Sequence, residues 1–260
     1  LNETGITSLC MDFIAIGMDS HLCIEAINLL VVLLAEPGGS KEVQQTILKY
    51  LKDNDSSPFF LQLKELINEI FTWYQKEAEN VEVVEDFGDS VLVLPDQSVV
   101  FTLIQLICEG DQVPLKNYFR EQDGNSESVS IPLLLANILD FLSRRESALF
   151  TNVSITVVKT IRATLHGPCK ENQRYYIMNT EVLVSLNRII RSSRPKTQTL
   201  TLMWNVDIEM LKECIVDLLR SVVEGFARDS LIFDRIISSI ELNVTSMLLM
   251  PPSDENQDVL

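Results

Sequence analysis

PFFLQLKELINEIFTWYQKE, residues 58–77, decides the fold class. Its apolar residues Phe59, Phe60, Leu63, Leu66, Ile67, Ile70, Phe71 and Tyr74 recur at three- and four-residue steps. That spacing predicts one helix with a single broad apolar stripe. A stripe of this kind is stable only against another helix or a sheet. The pattern returns in 207–223, at Ile208, Leu211, Ile215, Leu218, Leu219, Val222 and Val223. Segments 21–35 and 131–142 are apolar on more than one side, which predicts helices covered by their neighbours. Asp19 or Ser20 is suited to cap the first of these, and Ser57-Pro58 reads as an N-cap followed by a first-turn proline.

About ten or eleven helices joined by short connections are expected, an all-α protein. Helix pairs return at intervals of roughly 40 residues, which points to an armadillo/HEAT-like stack of antiparallel helices. An irregular helical bundle is the alternative. One stretch, ENVEVVEDFGDSVLVLP at 79–95, departs from the pattern: acidic and β-branched residues flank an Asp-Phe-Gly-Asp turn. It divides the chain into a helical segment (1–78), a linker or small hairpin (79–96) and a second helical domain (97–250). The last residues, 251–260, lose all apolar periodicity and read as a flexible tail.

Composition excludes several function classes. The chain has 260 residues, 46% hydrophobic and 22% charged, with a net charge of −16. A phosphate backbone would be repelled by that field, so no nucleic-acid partner is expected. The longest apolar run, Ile27 to Ala35, is interrupted at Asn28 and is about half the ~20 residues of a membrane span. No direct membrane span is expected within this stretch, and Leu1 reads as an internal cut of a longer chain. Cys10, Cys23, Cys108, Cys169 and Cys214 are scattered and odd in number, which suits reduced thiols in the cytosol. Asn2, Asn152 and Asn243 head glycosylation triplets that no other feature of the sequence supports.

The chemical motifs are incomplete. Asp86-Phe87-Gly88 lacks the glycine-rich loop, strand lysine and His-Arg-Asp loop of a kinase. Asp53-Asn54-Asp55 and Asp123-Gly124-Asn125 begin like calcium loops, but the twelfth positions are Lys64 and Leu134 where a glutamate is needed. Both read as polar turns between helices. His166 and Cys169 stand three apart like half of a zinc site, yet His21 is the only other histidine and no second pair exists. No nucleophile, base and oxyanion donor come together, so no enzyme is expected. Arg188, Arg191, Arg194 and Lys196 form the one basic cluster, either opposing a helix dipole before Pro195 or docking an acidic surface.

Four runs, in order, carry a resemblance. They are Leu34-Ala35-Glu36-Pro37-Gly38-Gly39-Ser40 with Val43-Gln44, then Ile104-Gln105-Leu106-Ile107-Cys108-Glu109-Gly110 with Leu115-Lys116-Asn117-Tyr118-Phe119-Arg120. Gly167-Pro168-Cys169 with Asn172-Gln173 follows, and Val222-Val223-Glu224-Gly225 closes the set. Together they resemble the intracellular calcium-release channels, the inositol trisphosphate and ryanodine receptors, with 97–250 matching the RIH-associated region. The resemblance implies an armadillo-like domain on the cytosolic face of the endoplasmic or sarcoplasmic reticulum, coupling ligand binding to a pore that lies elsewhere. Its partners would be other domains of the same subunit and neighbouring subunits of a homotetramer.

The resemblance also implies a site for Ca2+ as the only candidate cofactor, built from two carboxylates and a backbone oxygen from another part of the channel. Glu109 matches the first carboxylate. The second position, four residues before Gly167, is Ala163. Asp111 and His166 stand where the family has a histidine and a glutamine, and either is a candidate replacement ligand. Calcium binding is therefore expected to be weakened or lost. The run HGPCKENQ (166–173) is expected to be a corner, with Gly167 just past one helix end and Pro168 preventing continuation. Asn172 and Gln173 would cap the first amides of the next helix.

Overall fold

The stripe of 58–77 lies inside a helix of 27 residues, Ser57–Val83, and its residues point inward as the spacing requires. Phe59, Phe60, Leu63, Leu66, Ile67, Ile70 and Tyr74 are buried, and Phe71 is partly so. The computed structural model describes residues 5–17, 20–35, 40–83, 95–145, 150–192, 202–224 and 230–239. Among these there are twelve α-helices and no strand, an all-α fold consistent with a helical stack. In order they are α1 (Ile6–Ile16), α2 (Ser20–Leu34), α3 (Lys41–Asp53), α4 (Ser57–Val83), α5 (Val99–Cys108) and α6 (Val113–Arg120). Then follow α7 (Ile131–Ser143), α8 (Thr151–Leu165), α9 (Lys170–Asn179), α10 (Val182–Ser192), α11 (Leu202–Val223) and α12 (Ser230–Ser239). A 3-10 turn, Asp96–Ser98, leads into α5. None of the described helices is long and apolar enough to cross a membrane.

The number of helices exceeds the expected ten or eleven. Gly110 adopts φ +71° in the polar Glu109–Gln112 turn that separates the short helices α5 and α6. Other local expectations shift by a residue or more. Ser57 is the first helical residue rather than the cap, and its N–H donates to Asp55 Oδ1 at 3.0 Å. Pro58 is then the second residue of α4, where a missing N–H costs no intrahelical bond. Helix α4 continues to Val83, so residues 79–83 of the expected hairpin or linker are helical. Residues 84–94, with Asp86-Phe87-Gly88, lie outside the described residues, as do Asp19, Arg194, Lys196 and the tail 251–260.

Helix α8 is the centre of the stack and packs against α5, α7, α9 and, most extensively, α11. Helix α1 packs on α2, α3 and α4, while α2 also lies on α5. The buried side chains form one contiguous cluster that runs from Cys10 to Ile236. Aromatic edges help join its parts: Phe60 of α4 meets Phe119 of α6 edge-on with centroids 5.3 Å apart, a contact worth about 0.5–1.5 kcal/mol beyond burial. The two turns that began like calcium loops are polar turns and meet each other. Ser56 Oγ donates to Asn125 Oδ1 at 3.0 Å, and Lys64 pairs with Glu127 at 3.1 Å.

Part of the basic cluster has a structural partner. Asp140 of α7 accepts hydrogen bonds from Arg144 at 2.9 and 3.0 Å and from Arg188 of α10 at 3.1 Å. Arg188 also donates to Ser143 Oγ at 2.6 Å. Burial opposes the Asp140 charge, but the two guanidinium groups outweigh it and hold the carboxyl below the usual carboxylate range. A lowered carboxylate pKa stabilises the fold above the unfolded value and is lost as pH falls through the folded one. Asp140→Asn is therefore expected to cost roughly 1 kcal/mol in urea unfolding at neutral pH. The difference from the wild type should shrink as the pH is taken down into the carboxylate range.

Candidate functional site

Helix ends leave their last carbonyls without intrahelical partners, and an end inside a core must find donors elsewhere. Three of the ends in this stack lie in the interior, and each is met by a side chain from a different helix. The end of α5 is met from α3: Gln44 Nε2 donates to the carbonyls of Leu106 (2.9 Å), Ile107 (3.3 Å) and Glu109 (3.0 Å). The end of α11 is met from α9: Gln173 Nε2 donates to Ser221 O (2.5 Å) and Glu224 O (2.9 Å). The end of α8 is met by Asn172, whose Nδ2 donates to Thr164 O (3.0 Å) and to Lys116 O of α6 (3.0 Å). Lys116 itself donates through Nζ to Gly110 O at 2.6 Å and to His166 O.

Gln44, Lys116, Asn172 and Gln173 are each fully buried. They join the α5–α6 corner (109–112) to the α8–α9 corner (166–169) and bind α3 and α11 to the same knot. The approach of the two corners is close. Gly167 has φ +88°, and a β-carbon there would lie 2.8 Å from Asp111 Oδ1 and 3.1 Å from Gly110 O. Glycine at 167 thus answers two requirements, a left-handed backbone and the lack of room for a side chain. Buried thiols line the same region. Cys169 Sγ lies 3.3 Å from Asn117 Oδ1, and burial pushes the Cys108 thiol up to about 12. Those thiols are inert packing groups rather than nucleophiles.

The candidate ligands are placed as follows. Glu109 and Asp111 both have exposed side chains at the α5–α6 corner. Glu109 enters the knot through its backbone oxygen, which Gln44 holds. His166 also contributes a carbonyl; its exposed ring stands 4.0 Å from Glu224. Ala163, on α8, is half-buried against the core and carries no oxygen ligand. Calcium takes six to eight oxygens. Here the two carbonyls that face each other across the corners, Gly110 O and His166 O, already accept from a buried ammonium. Both corner carbonyls are thus already engaged, and the side chains of Glu109 and Asp111 are the carboxylates at this corner. Among the described residues no group of three or more His, Cys, Asp or Glu is placed to hold a metal.

The knot also corrects the reading of HGPCKENQ. The corner is as expected, with α8 ending at Leu165 and Gly167 at positive φ. Asn172 and Gln173, however, lie inside α9, which begins at Lys170, and reach across to other helices instead of capping their own. A signal for this stood in the sequence. Cys169, Asn172, Gln173, Tyr176 and Ile177 share one helical face, and the buried ones among them surround two amides. Lys116 stood likewise between Leu115 and Phe119 on the buried side of α6.

Residues 97–190 match the RyR and IP3R Homology associated family. The stretch runs from the 3-10 turn before α5 into α10, and it holds both corners of the knot. It supports the resemblance to inositol trisphosphate and ryanodine receptors over this stretch. The RyR and IP3R Homology associated segment is not self-contained, because Gln44 precedes it and the carbonyls of Ser221 and Glu224 follow it.

Gln173→Leu keeps the apolar bulk and removes the donor, leaving the end of α11 without one. It is expected to cost about 2 kcal/mol, read as a lowered urea midpoint at unchanged denaturant slope. An unchanged midpoint would mean that the α11 carbonyls find water or another donor.

Proposed function

We propose that this chain is a regulatory coupling module of a ligand-gated intracellular calcium-release channel, carrying movement from one channel domain to another. The observation that carries this reading is the knot. All four runs behind the resemblance meet in it, through Gln44, Lys116, Asn172, Gln173 and the backbone of Glu224. A region fastened at helix ends by buried hydrogen bonds moves as a rigid unit, which is what a lever between domains requires. Its role is non-catalytic, and its partners are other domains of the same subunit and neighbouring subunits in a homotetramer. Its place is the cytosolic face of the reticulum or a related internal store.

Calcium binds weakly or not at all at the Glu109 corner in this reading. Ala163 supplies no carboxylate, and the Lys116 ammonium near Asp111 opposes a second cation at this corner. The division into 1–78, a 79–96 connection and 97–250 remains the proposed domain plan, with Gln44 of α3 serving as the clamp across it.

The test uses the full-length gene product in cells lacking endogenous release channels, with store calcium release as the readout. The wild type is expected to support ligand-evoked release. Asn172→Leu, which unfastens α8 from α6, should shift the ligand dose–response several-fold while the subunit still assembles. A product that gives no ligand-evoked release and no store-membrane assembly would contradict the channel reading and leave a helical interaction scaffold.

A further inference from the structure

Lys116 violates two local rules at once. It is the fourth residue of α6, in the first turn, where the helix dipole favours acids over bases. Its side chain is also fully buried, a state lysine almost never adopts without a partner. Burial pushes the ammonium below the ordinary lysine range, while the carboxylates of Asp111 and Glu224 pull it back up. A sequence retains such a group only where the surroundings compensate for its desolvation.

The compensation has the form of a cation-binding shell. Gly110 O at 2.6 Å and His166 O accept from Nζ, each oxygen coming from a different corner. The carboxylates of Asp111 and Glu224 add negative charge further out. Asp111 Oδ1 closes against the Gly167 backbone, so the two corners are in contact around the charge. The Lys116 carbonyl meanwhile holds Asn172, which locks the backbone that positions the ammonium.

We propose that the Gly110 and His166 carbonyls form a cation site that Lys116 fills from within the chain, so that its ammonium joins the α5–α6 and α8–α9 corners without a dissolved ion. Emptied of the lysine, the site takes a small primary alkylammonium. The inference concerns the joint itself and stands whether or not the chain works in a channel.

Lys116→Ala and Lys116→Met, made in the 260-residue chain, test it by thermal unfolding. Both are expected to melt lower by roughly 5–10 °C. Ethylammonium, against sodium chloride of equal ionic strength, should restore at least half of the loss in Lys116→Ala and none in Lys116→Met, whose side chain fills the space. Micromolar calcium should leave the wild type unmoved. A Lys116→Met chain that melts with the wild type would overturn the proposal, as would an Ala variant deaf to ethylammonium. Stabilisation of the wild type by micromolar calcium would overturn it too, since a dissolved ion would then hold the joint. If neither variant folds, the wild type answers alone through its lysine ammonium NMR signals: one protected from exchange supports the proposal, and none contradicts it.

Discussion

The interior of this stack is governed by one constraint, that carbonyls at buried helix ends must be given donors. Apolar burial alone cannot satisfy them, because each unpaired polar group in the core costs about 1–3 kcal/mol. Four long side chains meet the requirement at α5, α8 and α11, and none acts on its own helix end. Each donor therefore serves as a strap between helices that are far apart in sequence. Gln44 reaches across 65 residues to Glu109, and Asn172 across 56 to Lys116. The arrangement has a cost as well: the amide oxygens of Gln44, Asn172 and Gln173 have no hydrogen-bond partner among the described residues. Net stabilisation is consequently smaller than the number of straps suggests, and what they chiefly fix is geometry.

Fixed geometry is what a coupling element needs. Sub-ångström shifts at one end of a tightly packed unit emerge at the other as rigid-body motion because cores do not deform continuously. The family segment 97–190 contains both corners, yet its carbonyl accounts close only with α3 before it and α11 after it. The runs at 34–44 and 222–225 lie outside that segment and are tied to it by these bonds. Gln44 and Glu224 belong to the same physical unit as Lys116 and Asn172.

Much of the fold was legible because helical burial writes a period into the sequence. The stripe in 58–77 and the one in 207–223 gave helices whose inward faces are those expected. The corner at Gly167 was legible too, since Gly-Pro admits few other structures. The roles of Asn172 and Gln173 were legible only in part: the face they share with Tyr176 and Ile177 marks them as inward, but not which helix end they meet. Whether a polar residue near a helix start caps its own turn or straps a distant one depends on what lies opposite, and that is tertiary information. Lys116 was hidden for the same reason, as a lysine on an apolar face is unremarkable until its ammonium is seen among carbonyls. The ligand candidates were chosen by side chain, whereas His166 and Glu109 take part through their backbone oxygens, which residue identity does not encode.

The central claim is that the four runs form one energetic unit, and a double-mutant cycle tests it directly. Gln44→Leu and Asn172→Leu, singly and together, would be measured by urea unfolding. Their side chains bond no common atom, but they are linked through Glu109, Gly110 and Lys116. A single knot predicts a coupling of about 1 kcal/mol or more between them. Additivity within about 0.3–0.5 kcal/mol, the behaviour of independent sites, would show that the straps act separately and would contradict the account.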